Sequence, residues 1–183
     1  MRKSGNLWLA MIAALILVCV MAIAGCGKQQ AGAGSGSEQS AQSALEHVLS
    51  CTVQEAADFE TASEEIKQAA EETGDETGIV SVDGLETYFQ GRFGDDLTED
   101  CLNKMMADRT IAVSIKLADQ SDILAEDIQL TKRSGNEDMY DFEAKLVTAA
   151  DSKQIASVTG VVTMEESQSS WKISNLTVKV TEL

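Results

Sequence analysis

Few side chains in this sequence combine into a constellation with recognised chemistry. The 183 residues contain four cysteines and one histidine, His47, among 30 acidic and 14 basic residues. They contain no Gly-x-Ser-x-Gly elbow, phosphate-binding glycine loop or metal-binding histidine spacing. Zinc would have to be bound by Cys51, Cys101 and carboxylates alone, a poor match to its usual ligand sets. The sequence therefore predicts no metal, no cofactor and no catalytic residue.

One acid–base arrangement stays open, a carboxylate base in an apolar pocket. Asp108 near Tyr88 or Tyr140 is the combination that the sequence offers for it. A pocket enzyme of this kind is the least favoured of the functions considered below.

The N-terminal segment has the layout of an export signal. Arg2 and Lys3 precede an uncharged apolar run over residues 7–24, and a polar segment follows Cys26. By length alone, the run also fits a minimal membrane-spanning helix. The residues at the end of the run decide between the two.

The string Ile23-Ala24-Gly25-Cys26 resembles the lipobox of bacterial lipoproteins, in which an aliphatic residue and two small residues precede an obligatory cysteine. The resemblance implies cleavage before Cys26 and attachment of diacylglycerol to its thiol. Two acyl chains, at about 0.8 kcal/mol for each buried CH₂, anchor a protein stably where one chain binds reversibly. We therefore expect residues 1–25 to be a signal peptide and the protein to be lipid-anchored at the cell membrane, outside the cytoplasm.

Composition after Cys26 predicts a tether and one acidic domain. Residues 26–42 are rich in Gly, Ser, Gln and Ala, which is typical of a flexible linker, and residues 43–183 have the length of a single domain. Without Arg2 and Lys3, the formal charge of −16 becomes −18. Such an excess of acid argues against nucleic-acid binding, and it disfavours docking on anionic lipid through a basic patch.

Cys51 and Cys101 are the thiols that remain once Cys26 is acylated and Cys19 leaves with the signal. An even pair in an exported protein fits a disulfide, which needs Cα atoms within about 7 Å. Two buried thiols on separate helices, packed as small hydrophobic groups, are the favoured alternative.

Helical patterns fill the first part of the domain. Ser43 with Glu46, and Thr52 with Glu55, have the spacing of capping boxes, which predicts a helix start at Ser43 and a break near residues 50–51. Two shorter helices are predicted to follow, one over residues 84–91 and one from Thr98 onward. They lie before a series of strands in the chain.

Alternating apolar residues predict five strands, beginning with residues 111–117. The clearest alternation starts at Tyr140, after a predicted hairpin turn at residues 134–136. In the last strand the apolar parity changes after Ile173, which predicts a one-residue bulge at residues 174–175. Helices followed by an antiparallel meander predict an α+β fold in which the helices pack on a curved sheet.

This order of elements resembles the nuclear transport factor 2-like, or cystatin-like cone, superfamily from residue 52 to residue 180. The strings that carry the resemblance are Tyr88-Phe89, Arg92-Phe93-Gly94, Leu97-Thr98, Met105 to Arg109 and Trp171-Lys172-Ile173. The resemblance implies a conical pocket between sheet and helices, which in some members holds an isomerase, dehydratase or cyclase site with an Asp and a His or Tyr. Here His47 lies near the tether and is expected at the surface, which argues against an imidazole base.

We expect a binding or interaction module in which the cone or the sheet face binds a protein partner or stabilises a complex of the cell envelope. The alternative is a small-ligand-binding lipoprotein that uses the cone as its pocket, with Tyr88, Tyr140 and Trp171 as candidate lining residues. Bulky side chains filling the cone favour the interaction module, whereas an open cavity lined by these aromatic residues favours the ligand.

Overall fold

The structure, a computed structural model, describes residues 36–73, 83–108, 112–136, 138–168 and 170–183. The predicted signal peptide, the proposed lipidation site Cys26 and the first part of the predicted tether lie outside the described residues. In the part of the chain that is described, helices precede strands, which confirms the α+β class.

Five helices and four strands make up the described residues. The helices are α1 (Gly36–Leu49), α2 (Val53–Thr73), α3 (Asp83–Phe93), α4 (Glu99–Ala107) and α5 (Ala112–Leu117). The strands are β1 (Ile123–Lys132), β2 (Met139–Thr148), β3 (Gln154–Ser167) and β4 (Ser170–Glu182). They form one antiparallel sheet in the order β1-β2-β3-β4, so each strand pairs with its neighbour in the chain.

Helix α1 begins at Gly36, seven residues before the predicted start at Ser43. The helix start predicted at Ser43 is therefore wrong, and residues 36–42 of the predicted tether lie in α1. The reason is burial, because the small side chains of Ser37 and Ala41 are covered almost completely. A Gly/Ser/Ala composition that is typical of a linker also allows a helix to pack closely, and tertiary contact decides between the two.

The predicted break between the first two helices is confirmed. Thr52 and Glu55 form the capping box, in which the Glu55 carboxylate accepts from the Thr52 N–H at 2.7 Å and the Thr52 hydroxyl accepts from the Glu55 N–H at 3.2 Å. In the break itself, Cys51 and Ile123 exchange backbone hydrogen bonds of 2.9 and 2.7 Å. The junction between α1 and α2 is thus joined to the start of β1.

A first strand is predicted over residues 111–117, but residues 112–117 form the short helix α5 instead. Ser114 and Ile115 are neighbours in the sequence and are both buried. A strand with one buried face cannot bury two successive side chains, whereas a helix can. The described sheet therefore has four strands rather than five.

The other strand predictions hold. In β2, the side chains of Tyr140, Phe142, Ala144 and Leu146 are buried, and those of Glu143 and Lys145 between them are exposed. Gly135 takes a φ of 85° in the hairpin turn between β1 and β2. The bulge also lies where the parity change predicts it, because Thr163 pairs with Asn175 while Met164 pairs with Ile173, which leaves Ser174 as the extra residue.

Both outer strands of the sheet are partly covered. The edge of β4 is bridged at Ile173, whose N–H donates to the Asp96 carbonyl at 2.8 Å and whose carbonyl accepts from Thr98 at 2.9 Å. The edge of β1 is bridged at Ile123 by Cys51. Farther along β1, its register shifts at Asp127, which has a φ of 53°.

Gly160, in the middle of β3, lies where the sheet has no room for a side chain. A Cβ at residue 160 would lie 2.7 Å from Cε1 of Phe142 and closer still to the Thr177 carbonyl oxygen. Because a backbone carbonyl cannot turn away, we expect Gly160→Ala to lower the free energy of unfolding by about 3 kcal/mol, near the top of the range for overpacking. Urea unfolding followed by circular dichroism measures the change.

The matched control is Gly91→Ala in α3. A Cβ at residue 91 meets no atom within 4 Å, and alanine favours a helix over glycine by about 0.5–1 kcal/mol. We expect this variant to be slightly more stable than the wild type. A Gly160→Ala protein as stable as Gly91→Ala would contradict the close approach of β3 and β4.

Candidate functional site

The space between the helices and the sheet is filled by side chains. An enclosed cavity there measures about 10 Å³ and is lined mainly by apolar residues of α1, α4, α5 and the sheet: Val48, Leu49, Met105, Val113, Ser114, Leu146, Val158, Val178 and Val180. A cavity of this size holds about one water molecule. It has no room for an organic ligand.

The three aromatic residues expected to line a pocket do not meet in one cavity. Tyr140 is fully buried, and its hydroxyl lies 2.8 Å from Oγ of Ser37 at the start of α1. Trp171 is partly buried. Its indole lies beside the same turn, where a Cβ at Gly36 would be 3.4 Å from Nε1. Tyr88 belongs to α3, and its side chain packs towards α2, where its hydroxyl donates to the Glu55 carbonyl at 2.8 Å.

An open groove of about 520 Å³ runs along the outside of the helices beside Tyr88. We call it the acidic groove. Its lining residues are His47, Glu55, Asp58, Tyr88, Gly91, Arg92, Asp95 and Asp96. Four carboxylates therefore face one guanidinium and one imidazole, which gives the groove an acidic character.

Arg92 forms the floor of the acidic groove, with a side chain only 6% exposed. Its Nη2 donates to the Ser50 carbonyl at 2.6 Å, and its Nη1 lies 3.1 Å from Oε2 of Glu55. The guanidinium carbon is also 4.8 Å from the centre of the Phe93 ring. Arg92 thus joins α3 to the junction between α1 and α2.

The two titratable groups in contact with Nη1 of Arg92, the Tyr88 hydroxyl and the Cys51 thiol, both have raised pKa values. Burial raises the pKa of Tyr88, although Arg92 partly opposes the shift. Burial likewise raises the pKa of the Cys51 thiol, although Nη1 of Arg92 lies 3.5 Å from its sulfur. Because Arg92 contacts both the Ser50 carbonyl and Glu55, it holds α3 to the junction between α1 and α2, and we call this set of contacts a structural joint.

Cys51 and Cys101 are free thiols in the structure, and both are buried. Cys51 lies in the junction between α1 and α2, while Cys101 is in the first turn of α4, beside β4. Burial raises the pKa of Cys101 to about 11, which keeps it protonated and unreactive in neutral solution. Cys51 contacts Arg92, whereas the neighbour of Cys101 is Leu176 in β4, so the two thiols have different surroundings.

The remaining candidates lie at the surface. His47 is exposed, as expected, and its Nδ1 lies 2.5 Å from Oδ2 of Asp96. Asp108 is exposed at the end of α4, so it does not sit in the apolar pocket that a carboxylate base would need. Within the described residues, no group of three or more His, Cys, Asp or Glu side chains is placed to hold a metal ion.

The sequence alone does not identify Arg92 and Glu55 as partners. The available signal was the spacing of Tyr88 and Arg92, which places both on one face of a helix. It does not reveal the partner on α2, since Glu55 is 37 positions away from Arg92 in the chain.

Removing the Arg92 charge tests the joint. We expect Arg92→Met to lower the free energy of unfolding by about 2–3 kcal/mol, because Glu55 and the Ser50 carbonyl lose a charged donor while Glu55 keeps some contact with water. The matched control is Arg133→Met, which removes an exposed ion pair with Asp141 and should change stability little. Equal urea midpoints for the two variants would contradict the role of Arg92.

No helix of the described ranges is long and apolar enough to cross a membrane. A scan against protein-family models, a search of curated proteins and a search of solved structures each find no significant match to this chain.

Proposed function

We propose that this protein is a lipid-anchored lipoprotein on the outer side of the cell membrane that acts as a binding module for a protein of the cell envelope. The observation that carries the anchor is the string Ile23-Ala24-Gly25-Cys26 at the end of an uncharged apolar run. The cysteine supplies the thiol that takes the lipid, and the small residues before it let a peptidase approach the backbone.

The filled interior supports a binding role at the surface. Bulky side chains such as Tyr140, Phe142 and Leu146 occupy the helix-facing side of the sheet, and the enclosed cavity measures about 10 Å³. A protein that binds a ligand inside a cone would need some hundreds of Å³. The resemblance to cone-shaped folds therefore favours a packed scaffold that presents surfaces.

The acidic groove is the surface that best fits a partner. Asp58 and Asp95 are exposed at its edge, and Tyr88 and Arg92 give it a rigid floor. Carboxylates around an open concavity favour a basic segment of a partner protein, because complementary charge speeds association and excludes acidic competitors. A small cationic ligand in the same groove is the second candidate, favoured by the groove volume of about 520 Å³.

The anchor is tested by Cys26→Ser. We expect the variant to stay uncleaved and to carry no lipid, because serine has no thiol to form the thioether. Intact-mass measurement of the membrane-extracted protein decides the point. Cys19→Ser is the control and should be processed as the wild type is, since Cys19 lies within the discarded run. A wild-type protein that retains residues 1–25 without added lipid mass would contradict the proposal in favour of a spanning helix.

The binding surface is tested with a photo-crosslinking amino acid in living cells. At Asp58, on the acidic groove, we expect an adduct of protein size; at Thr131, an exposed position of β1, we expect none. Equal adducts at both positions would contradict the groove as the binding surface. A bound molecule of small mass in native mass spectrometry, with no protein adduct at Asp58, would favour the ligand alternative.

A further inference from the structure

The chain enters the domain at a fixed point. Ser37 is buried, and its Oγ lies 2.8 Å from the hydroxyl of Tyr140. Gly36, just before it, lies against the indole of Trp171, so that a Cβ at Gly36 would be 3.4 Å from Nε1. The first turn of α1 is therefore held against the sheet, and any anchor that precedes it pulls on the domain at this point.

The entry point lies at one end of the sheet. Tyr140 and Trp171 are each the second residue of their strand, next to the hairpins β1–β2 and β3–β4. We call this the entry end, formed by the first turn of α1, Trp171 and these two hairpins. From Tyr140 to Thr148 the sheet extends by roughly 27 Å, at about 3.4 Å per residue.

The far end is formed by the start of β1, the hairpin β2–β3 and the C-terminus. Ala149 donates its N–H to the Asp122 carbonyl at 2.8 Å, just before β1. Leu183 donates its N–H to the Ile155 carbonyl at 3.0 Å. These contacts hold the three segments of the far end together, at the end of the sheet opposite to the entry point.

Covalent geometry limits how far the entry end can lie from a lipid on Cys26. The ten residue steps from Cys26 to Gly36 span at most about 36 Å, whatever conformation they take. An inverted domain, with its far end on the bilayer, would require this stretch to run back along the roughly 27 Å of sheet. A span of 27 Å is about three quarters of the maximum length of the stretch, so few chain conformations would be available to it. A domain with its entry end on the bilayer leaves many conformations available.

The net charge of the domain does not attract it to an anionic bilayer. The processed chain carries −18, and anionic lipid repels carboxylates that come within about 8 Å at physiological salt. The orientation therefore follows from where the chain enters the domain and how short the preceding stretch is.

From this geometry we propose that the domain stands on the membrane with its entry end towards the lipid and its far end exposed to partners. The inference rests on the proposed lipid anchor at Cys26 and adds an orientation to it. The partner of the entry end is the bilayer surface, held close by connectivity.

Trp171 makes the test direct, because it is the one tryptophan left after removal of residues 1–25. The lipidated protein, extracted from membranes, is reconstituted into vesicles of phosphatidylcholine and phosphatidylglycerol that contain a dansyl-labelled lipid. Energy transfer from tryptophan to dansyl then reports the distance to the headgroups. We expect severalfold greater transfer from Trp171 than from a tryptophan at the far end.

The far-end probe is Trp171→Phe combined with Ala150→Trp, in the exposed β2–β3 turn. Trp171→Phe with Glu182→Trp provides a second far-end position if the first variant does not fold. In a third protein, residues 27–35 are duplicated, which nearly doubles the maximum distance between Cys26 and the start of α1. We expect the transfer from its Trp171 to fall towards the far-end value.

The outcomes separate the two proposals. An extracted protein without lipid mass overturns the anchor and the orientation together. Lipid mass with equal transfer from both ends, or with greater transfer from the far end, overturns the orientation alone. A difference that the duplicated stretch leaves unchanged also overturns it, because the short reach would then not be its cause.

Discussion

The structure depends on one helix that is fixed at both ends. Helix α1 has weak intrinsic helix propensity in its first turns, which are Gly, Ser and Gln rich. Its start is held by the contact of Ser37 with Tyr140, and the residues after its end are held by the backbone exchange between Cys51 and Ile123. Between these points Ala41, Leu45 and Val48 are buried, so the helix closes the apolar face of the sheet along its length.

Local rules predicted the elements whose signal lies within a few residues. The Thr52–Glu55 capping box, the alternation that begins at Tyr140 and the bulge at Ser174 each follow from neighbours in the chain. The rest depended on contacts between distant segments. No sequence signal near Gly36 predicts a helix start, because the residues that stabilise it are more than 100 positions away. Helix α5 forms where Ser114 and Ile115 are both buried by other parts of the chain.

The residues of the candidate site were also only partly predictable from the sequence. Tyr88 and Trp171 are both predicted to line one pocket, yet Tyr88 lies at the acidic groove and Trp171 at the entry end. The sequence gives no partner for Arg92, although it is the most buried cation of the groove. In a chain with more than twice as many acidic as basic residues, a guanidinium placed among carboxylates reduces their mutual repulsion where α1, α2 and α3 meet.

The bridges on the outer strands have a consequence for a protein confined to a surface. The proposed lipid anchor would confine all copies to two dimensions, where neighbouring domains meet edge to edge far more often than in solution. An open strand edge under those conditions is a template for sheet-to-sheet association. Ile173 is occupied by the segment before α4, Ile123 by Cys51, and the backbone turn at Asp127 interrupts the rest of β1. On a crowded membrane, these features would oppose pairing of the sheet edges of neighbouring copies.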